Sequence, residues 1–136
     1  MSDNDTYVIR AGSTAHGRFE TDVDAARAGW EWSSIRVLSL PAGGTETVTT
    51  GEEEILVLPL AGGYTVEIDG VALVVEGGPE VWAAISDYLY VPRRTTAVIS
   101  SARGGRFALP GAKATRDLPV RYCPASDVVT GLRGTG

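Results

Sequence analysis

The chain has 136 residues, of which 43% are hydrophobic and 21% charged, and its net charge at pH 7 is −5. This length and balance are typical of one globular domain with a hydrophobic core. The negative charge argues against nucleic acid or an anionic membrane surface as a partner. The acidic start, MSDNDTYVIR, lacks the basic and apolar segments of a signal peptide, so we expect a cytoplasmic protein.

The predicted elements are almost all strands. A short helix is expected within 22–29, and the apolar residues after it recur with a period of two or in short runs. We predict strands near 35–40, 54–60, 64–68, 71–75, 80–84, 87–91, 96–101, 105–109 and 119–123. Asp69-Gly70 is the clearest hairpin signal, since both residues tolerate positive φ. The sequence therefore predicts an all-β sandwich or barrel with at most one short helix.

The domain organisation is simple. We predict a single domain over residues 1–136. Its tail, 125–136, shows little apolar periodicity and is interpreted as a linker.

Two stretches suggest a particular kind of β-barrel. A Pro41-Ala42-Gly43-Gly44 turn precedes an acidic residue, an apolar strand and a glycine turn, and Asp87 later opens a strand that ends at Pro92. This order resembles the two motifs of the cupin superfamily, which implies a jelly-roll β-barrel. In cupins the motifs supply three histidines and a glutamate for one divalent metal inside the barrel.

None of the positions at which the cupin motifs place metal-binding histidines carries a histidine in this chain. The metal-ligand positions of these motifs fall at Thr50, Glu52, Glu54 and Ala97, and the only histidine, His16, lies outside both motifs. Threonine is a poor ligand, alanine has no donor atom, and tight sites of this kind need imidazole nitrogens. We therefore expect no metal or other cofactor in this chain. The acidic run Glu52-Glu53-Glu54 is more typical of a solvated turn than of a metal or proton-transfer cluster, since charge runs usually face water.

Six longer stretches carry a closer resemblance: WEWSSIRVLSLPAG from Trp30, GEEEILVLPLAG from Gly51, DYLYVPR from Asp87, GRFALPGAKA from Gly105, LPVRY from Leu118 and LRGTG from Leu132. In this order and spacing they resemble the N-terminal half of 5-deoxy-glucuronate isomerase, the aldose–ketose isomerase of bacterial myo-inositol catabolism. The related 5-keto-4-deoxyuronate isomerase shares the same two-barrel plan, and the sequence leaves both families open.

That resemblance has consequences for partners and cofactors. It implies a C-terminal cupin barrel that holds the divalent metal, with zinc the expected ion. Gly77-Gly78 departs from the pattern, because a more polar, often basic residue is expected there. This departure weakens the case for an anion contact at that turn.

Five residues are candidates for binding a small sugar acid: Glu54, Tyr88, Tyr90, Arg93 and Arg94. Glu54 opens a strand where cupins place an inward carboxylate, and the two tyrosines share one strand face, so the three could line the barrel cavity. The two arginines could pair with a carboxylate. An exposed turn is the alternative interpretation of the arginine pair.

The other conspicuous side chains have simpler interpretations. We expect His16 on the surface, Trp82 in the core and Cys123, the only cysteine, as a buried structural thiol. Trp30 and Trp32 are expected to pack in the core or against a partner.

Two functions remain open from the sequence. The chain is either the structural N-terminal barrel of a sugar-acid isomerase, which supports a catalytic C-terminal barrel, or a stand-alone metal-free cupin that binds a small sugar or sugar acid. Strands that are apolar on both faces predict a homodimer, in contact through the N-terminal strands or the sheet that carries Trp30 and Trp32.

Overall fold

The computed structural model describes residues 8–134. Its elements, in chain order, are β1 Phe19–Val23, α1 Ala25–Ala28, β2 Ser33–Leu40, β3 Gly44–Thr49, β4 Glu53–Ile68, β5 Val71–Gly78, β6 Tyr88–Val91, β7 Thr96–Ser101, β8 Gly105–Lys113, β9 Arg121–Cys123 and a 3-10 helix Ala125–Asp127. No helix within the described residues has the length and apolar character needed to cross a membrane.

The strands form two antiparallel sheets that share one strand. The six-stranded sheet has the order β1-β2-β8-β4-β6-β9, and the four-stranded sheet has the order β3-β7-β4-β5. Strand β4 has 16 residues, and its first half belongs to the six-stranded sheet and its second half to the other. The prediction of a jelly-roll β-barrel with one short α-helix is confirmed.

The two sheets enclose a single hydrophobic core. Along each strand the inward residues alternate with outward ones, as the period of a β-strand requires. The inward side chains include Leu38, Leu40, Val48, Ile55, Val57, Tyr64, Val66, Leu89, Val91, Ala97, Ile99, Phe107 and Leu109, all buried in one cluster. The barrel interior is thus filled by aliphatic and aromatic side chains.

The predicted strands 54–60 and 64–68 are one strand, β4, and the residues between them, 61–63, form a bend inside it. Pairing with β8 and with β5 is irregular on either side of Gly62, which has φ +84°. A bulge of this kind bends a strand without ending it, and it lets β4 leave one sheet and join the other. Gly77, with φ +65°, packs so closely here that a Cβ would overlap the carbonyl oxygen of Gly62. This close contact explains why glycine stands at that turn.

One predicted strand is absent, and two strands of the structure, β1 and β3, were not predicted. Residues 80–84 form an irregular loop between β5 and β6, and the side chain of Trp82 is 89% exposed instead of lying in the core. The glycine pair and Pro79 end β5 before this apolar stretch can pair. Conversely, β3 is a strand in the structure that was not predicted, because its outward side chains are polar and its sequence resembles that of a loop.

The segment 22–29, predicted as a short helix, contains the last two residues of β1 and the helix α1, and β1 itself was not predicted. The side chain of Asp24 caps α1 by accepting a hydrogen bond from the Arg27 backbone N–H across 2.7 Å. Gly29 ends the helix in the left-handed conformation, with φ 78°. Trp30 and Trp32 follow in the connection to β2 and are 59% and 65% exposed, so they do not pack in the core.

Candidate functional site

Two of the positions where the cupin motifs carry metal ligands, Thr50 and Ala97, are buried and have structural roles in this chain. Ala97 is fully buried in the core. The buried Thr50 hydroxyl donates to the Pro92 carbonyl oxygen across 2.9 Å and accepts from the Thr95 backbone N–H across 3.0 Å. Thr50 therefore ties the β3–β4 turn to the β6–β7 turn, and Ala97 fills the core.

The inward carboxylate at the start of β4 belongs to Glu53 and not to Glu54. Glu53 alternates with the buried Ile55, and its Oε2 accepts a hydrogen bond from the Ser34 hydroxyl across 2.5 Å. Gly111 leaves the space for this pair, because a Cβ there would overlap the Glu53 carboxylate. The expectation that Glu54 points into the barrel was wrong by one residue, and a shift of one residue reverses the face of a strand.

Glu54 instead forms a pair with Tyr90 on the outward face of the six-stranded sheet. The Tyr90 hydroxyl donates to Glu54 Oε2 across 2.5 Å. Partial burial and the hydrogen bond to this carboxylate raise the pKa of Tyr90 to about 12. The sequence correctly brought Glu54 and Tyr90 together, but it placed them on the wrong side of the sheet.

Tyr88 lies on the same outward face, since the buried Leu89 between the two tyrosines points inward. It pairs in register with Cys123 of β9, and the hydrogen bond with that thiol raises the pKa of Tyr88. Cys123 is only partly buried. The expectation that Tyr88, Tyr90 and Glu54 line the barrel cavity was therefore wrong.

An open groove of about 490 Å³ runs beside these tyrosines. Its lining is mostly apolar and consists of Leu56, Tyr88, Tyr90, Leu118, Pro119, Val120, Arg121 and Cys123. A groove on this scale could hold a small ligand. The polar groups that a ligand in this groove could reach are the hydroxyls of Tyr88 and Tyr90, the thiol of Cys123 and the guanidinium of Arg121.

Arg93 and Arg94 are engaged with acidic side chains of this chain. Arg93 Nε donates to Asp117 Oδ1 across 2.7 Å and its Nη1 donates to the Ala114 carbonyl oxygen across 3.1 Å. Arg94 holds both oxygens of Glu52, at 3.1 and 3.3 Å, and this pairing lowers the pKa of Glu52. A sugar carboxylate would have to displace these partners.

Asp87 organises a junction that the sequence did not reveal as such. Its buried carboxylate accepts from the backbone N–H groups of Glu76 and Gly77, each across 2.9 Å, and from the Tyr122 hydroxyl. Burial by itself would raise the pKa of Asp87, but these hydrogen bonds outweigh it and hold the pKa below its ordinary value. A lone aspartate directly before an apolar strand was the only signal in the sequence.

The arrangement of donors does not fit a metal. Within residues 8–134, no three His, Cys, Asp or Glu side chains lie close enough together to hold an ion. His16 lies at the exposed N-terminal end of the fold, 2.5 Å from Asp22. Thr50 and Ala97 are buried, whereas Glu52 is exposed and Glu54 lies on the outward face of β4, so the cupin places do not converge.

The fold and these residues define a cupin-type jelly-roll domain whose interior is packed. A scan of protein families then matches residues 7–136 to the KduI/IolB family. The chain belongs to this family, that of 5-deoxy-glucuronate isomerase.

Solved structures agree with the assignment of the fold. An IolB-like protein from Salmonella typhimurium LT2 superposes with a TM-score of 0.81 at 23% identity, over 90% of this chain and 48% of that one. Protein Ylba from E. coli gives 0.63 at 15% identity, over 95% of this chain and 61% of that one. The cupin domain of Schizosaccharomyces pombe Cnp3 gives 0.52 at 16%, over 71% and 64%.

The chain spans about half the length of the IolB-like protein that it matches. A search of curated proteins finds no significant match to its sequence.

Proposed function

We propose that this chain is the structural barrel of an aldose–ketose isomerase that acts on a sugar acid of the 5-deoxy-glucuronate type. Its role is to support a second, catalytic cupin barrel and to build the oligomer. The divalent metal, with zinc the expected ion, and the proton-transfer groups belong to that second barrel. The pathway of the enzyme it resembles, myo-inositol catabolism, and a cytoplasmic location are part of the same proposal.

One observation carries this proposal. At the places where the cupin motifs supply metal ligands, this barrel has a buried Ala97 and a Thr50 hydroxyl that is committed to backbone groups. Moving a proton between neighbouring carbons of a sugar needs a base and a group that polarises oxygen. Glu53 points inward, but its partner is the Ser34 hydroxyl and the side chains deeper in the barrel are apolar. Family membership supports the isomerase, and this packed interior supports the non-catalytic role.

The test is an assay of the purified chain with 5-deoxy-glucuronate, with and without added zinc or manganese. We expect no turnover and less than one metal ion per chain in elemental analysis. Stoichiometric metal that is lost on Glu53→Gln or Glu54→Gln, together with turnover, would overturn the proposal. The intact mass of the natural gene product supplies a second test, because a structural half requires a product of about twice this length.

A second function is favoured by the groove beside Tyr88 and Tyr90. Under this alternative the chain is a metal-free cupin that binds a small sugar or sugar acid through Glu54, Tyr88, Tyr90, Arg93 and Arg94. Titration calorimetry with glucuronate separates the two functions. Binding that is weakened by Tyr90→Phe and by Arg93→Ala would support the stand-alone binder, and the structural role predicts no heat of binding.

A further inference from the structure

The outward faces of the two sheets have very different compositions. The outward face of the six-stranded sheet, called here face A, is apolar and half-buried; it consists of Ile35, Val37, Leu56, Leu58, Tyr88, Tyr90, Ala108 and Pro110. The strand register sets these side chains side by side, with Val37 beside Ala108, Ala108 beside Leu58, and Leu56 beside Tyr90. A continuous apolar surface therefore crosses four adjacent strands.

The outward face of the four-stranded sheet, face B, serves as an internal comparison. It carries Thr45, Thr47, Thr49, Thr65, Glu67, Thr96 and Ser100, with Ala72, Val74 and Val98 as its apolar members. This is the usual composition of a sheet face that meets water. The same fold thus has one mostly polar outward face, typical of contact with water, and one apolar outward face, typical of contact with another protein surface.

The relief of face A suits a copy of itself. Leu56 and Tyr90 form a ridge between two grooves, the one of about 490 Å³ described above and one of about 350 Å³ lined by Glu54, Leu56, Tyr90, Pro110 and Ala112, among others. The ridge of one copy can enter a groove of another.

The charges on face A also suit a copy of itself. The Glu54 carboxylate lies on one side of Tyr90, and Arg121 pairs in register with Tyr90 on the other side. Two copies related by a twofold axis can set the Arg121 of each against the Glu54 of the other, as an isologous contact requires.

The flat area of face A is smaller than one side of a standard interface, so its neighbours must contribute to the contact. Adjacent strands lie about 4.8 Å apart and rise about 3.3 Å per residue, so the four strands that carry face A, over about six residues, span about 14 by 20 Å. The relief of the side chains and the neighbouring exposed Trp30 and Leu118 add to this flat area of about 280 Å². A standard interface buries about 800 Å² on each partner.

We propose that face A is the contact of a symmetric homodimer of this chain, packed sheet against sheet. The inference rests on the oligomer-building role proposed above and does not need the isomerase assignment. It places Trp30 at the edge of the contact, because Trp30 and Ile35 line one groove at the β1–β2 end of the face. Arg121 and Glu54 provide the polar rim.

The experiment compares one lysine on each face. Leu56→Lys on face A and Val98→Lys on face B both replace a partly exposed aliphatic side chain in a paired strand. Sedimentation equilibrium is expected to show a dimer for the wild type and for Val98→Lys. For Leu56→Lys we expect the dissociation constant to rise about tenfold or more. A monomeric wild type, or equal weakening by both variants, would overturn the proposal.

If Leu56→Lys fails to fold, an exchange of the charges at Arg121 and Glu54 still tests the proposed dimer contact. Arg121 is exposed, so Arg121→Glu is expected to leave the fold intact and to weaken the dimer by like-charge repulsion with the partner subunit. Adding Glu54→Lys should restore the dimer, and a double variant as weak as Arg121→Glu alone counts against the twofold arrangement. A monomeric wild type without turnover would reject the proposed dimer but not the structural role. A dimeric wild type with turnover would reject the structural role but not the dimer.

Discussion

The hydroxyl of Tyr122 in β9 donates a 2.6 Å hydrogen bond to Oδ2 of Asp87, the residue before β6. The same carboxylate holds two backbone N–H groups at the end of β5. Asp87 is only 4% exposed, so its three donors replace the water that burial removes. One side chain thereby joins β5, β6 and β9 and fixes both ends of the loop that contains Trp82.

Asp87→Asn is expected to cost about 2–3 kcal/mol of unfolding free energy at pH 7, because the amide cannot accept from all three donors. The pKa of Asp87 is lower in the folded chain than its ordinary value of 3.8, so the ionised form stabilises the fold above that pH. This contribution is lost as the pH falls below about 3.8 and through the folded pKa. Urea unfolding at pH 7 and pH 3 checks both points.

The matched control for this aspartate is Tyr122→Phe. It keeps the carboxylate and both backbone donors, so we expect a smaller loss of stability than for Asp87→Asn. The same pH dependence in Asp87→Asn and in the wild type would contradict the assignment of that stability to the Asp87 carboxylate.

Gly77→Ala and Gly78→Ala should differ sharply although the two residues are neighbours. Gly77 has φ +65° and its Cβ would overlap the backbone of Gly62, whereas a Cβ at Gly78 meets nothing within 4 Å. We expect Gly77→Ala to destabilise the fold by more than about 2 kcal/mol. Gly78→Ala should be neutral or slightly stabilising, since it restricts the unfolded chain. Equal thermal midpoints for the two variants would refute this account of the β4 bend.

Trp82→Ala should change the unfolding free energy by no more than about 0.5 kcal/mol, because the indole is 89% exposed. Phe107→Ala is the comparison. Its ring is fully buried and meets Tyr64 edge-on with 5.1 Å between ring centroids, so we expect a loss of about 3–5 kcal/mol. Guanidinium denaturation followed by circular dichroism measures both, and a large loss for Trp82→Ala would place that side chain in a packed site.

Arg93→Ala and Arg94→Ala test which of the two arginines stabilises the fold. The Arg93 side chain is 13% exposed and bonds Asp117 and the Ala114 carbonyl, whereas that of Arg94 is 59% exposed. We expect a loss of about 1–2 kcal/mol for Arg93→Ala and a clearly smaller loss for Arg94→Ala, because exposed ion pairs contribute little. Faster hydrogen exchange over residues 114–118 in the Arg93 variant alone is the local signature. Equal exchange in both variants would show that Arg93 does not order this segment.

The strands with runs of apolar residues, such as the first half of β4, could be predicted from the sequence, whereas β3, whose outward side chains are polar, could not. The Asp69-Gly70 hairpin is confirmed, with both residues at positive φ, 51° and 78°, because local turn chemistry alone determines it. The loop around Trp82 could not be predicted in the same way. Its apolar stretch has the composition of a strand, and the glycine pair with Pro79 at one end and the junction at Asp87 at the other keep it out of both sheets.

The candidate site was predictable in its pairing but not in its orientation. Residues two apart share a strand face, so Glu54 belongs with Leu56 and Glu53 with Ile55. The spacing to the apolar Ile55 and Val57 favours Glu53, but the spacing to Leu56 and Leu58 favours Glu54 equally. The resemblance to the cupin motif pointed to Glu54. Hydrophobicity alone did not distinguish the two faces of β4, because face A is apolar as well.

Strand β4 has a consequence for how the chain folds. It pairs with β5, β6, β7 and β8, so its residues have partners on both sides in each sheet. Most of these partners are distant in the sequence, and closing such loops before the contacts form slows folding. Neither sheet can detach without removing β4 from the other, so we expect a single cooperative transition with millisecond-to-second refolding and no stable half-folded state. The bend at Gly62 therefore couples the two sheets kinetically as well as in space.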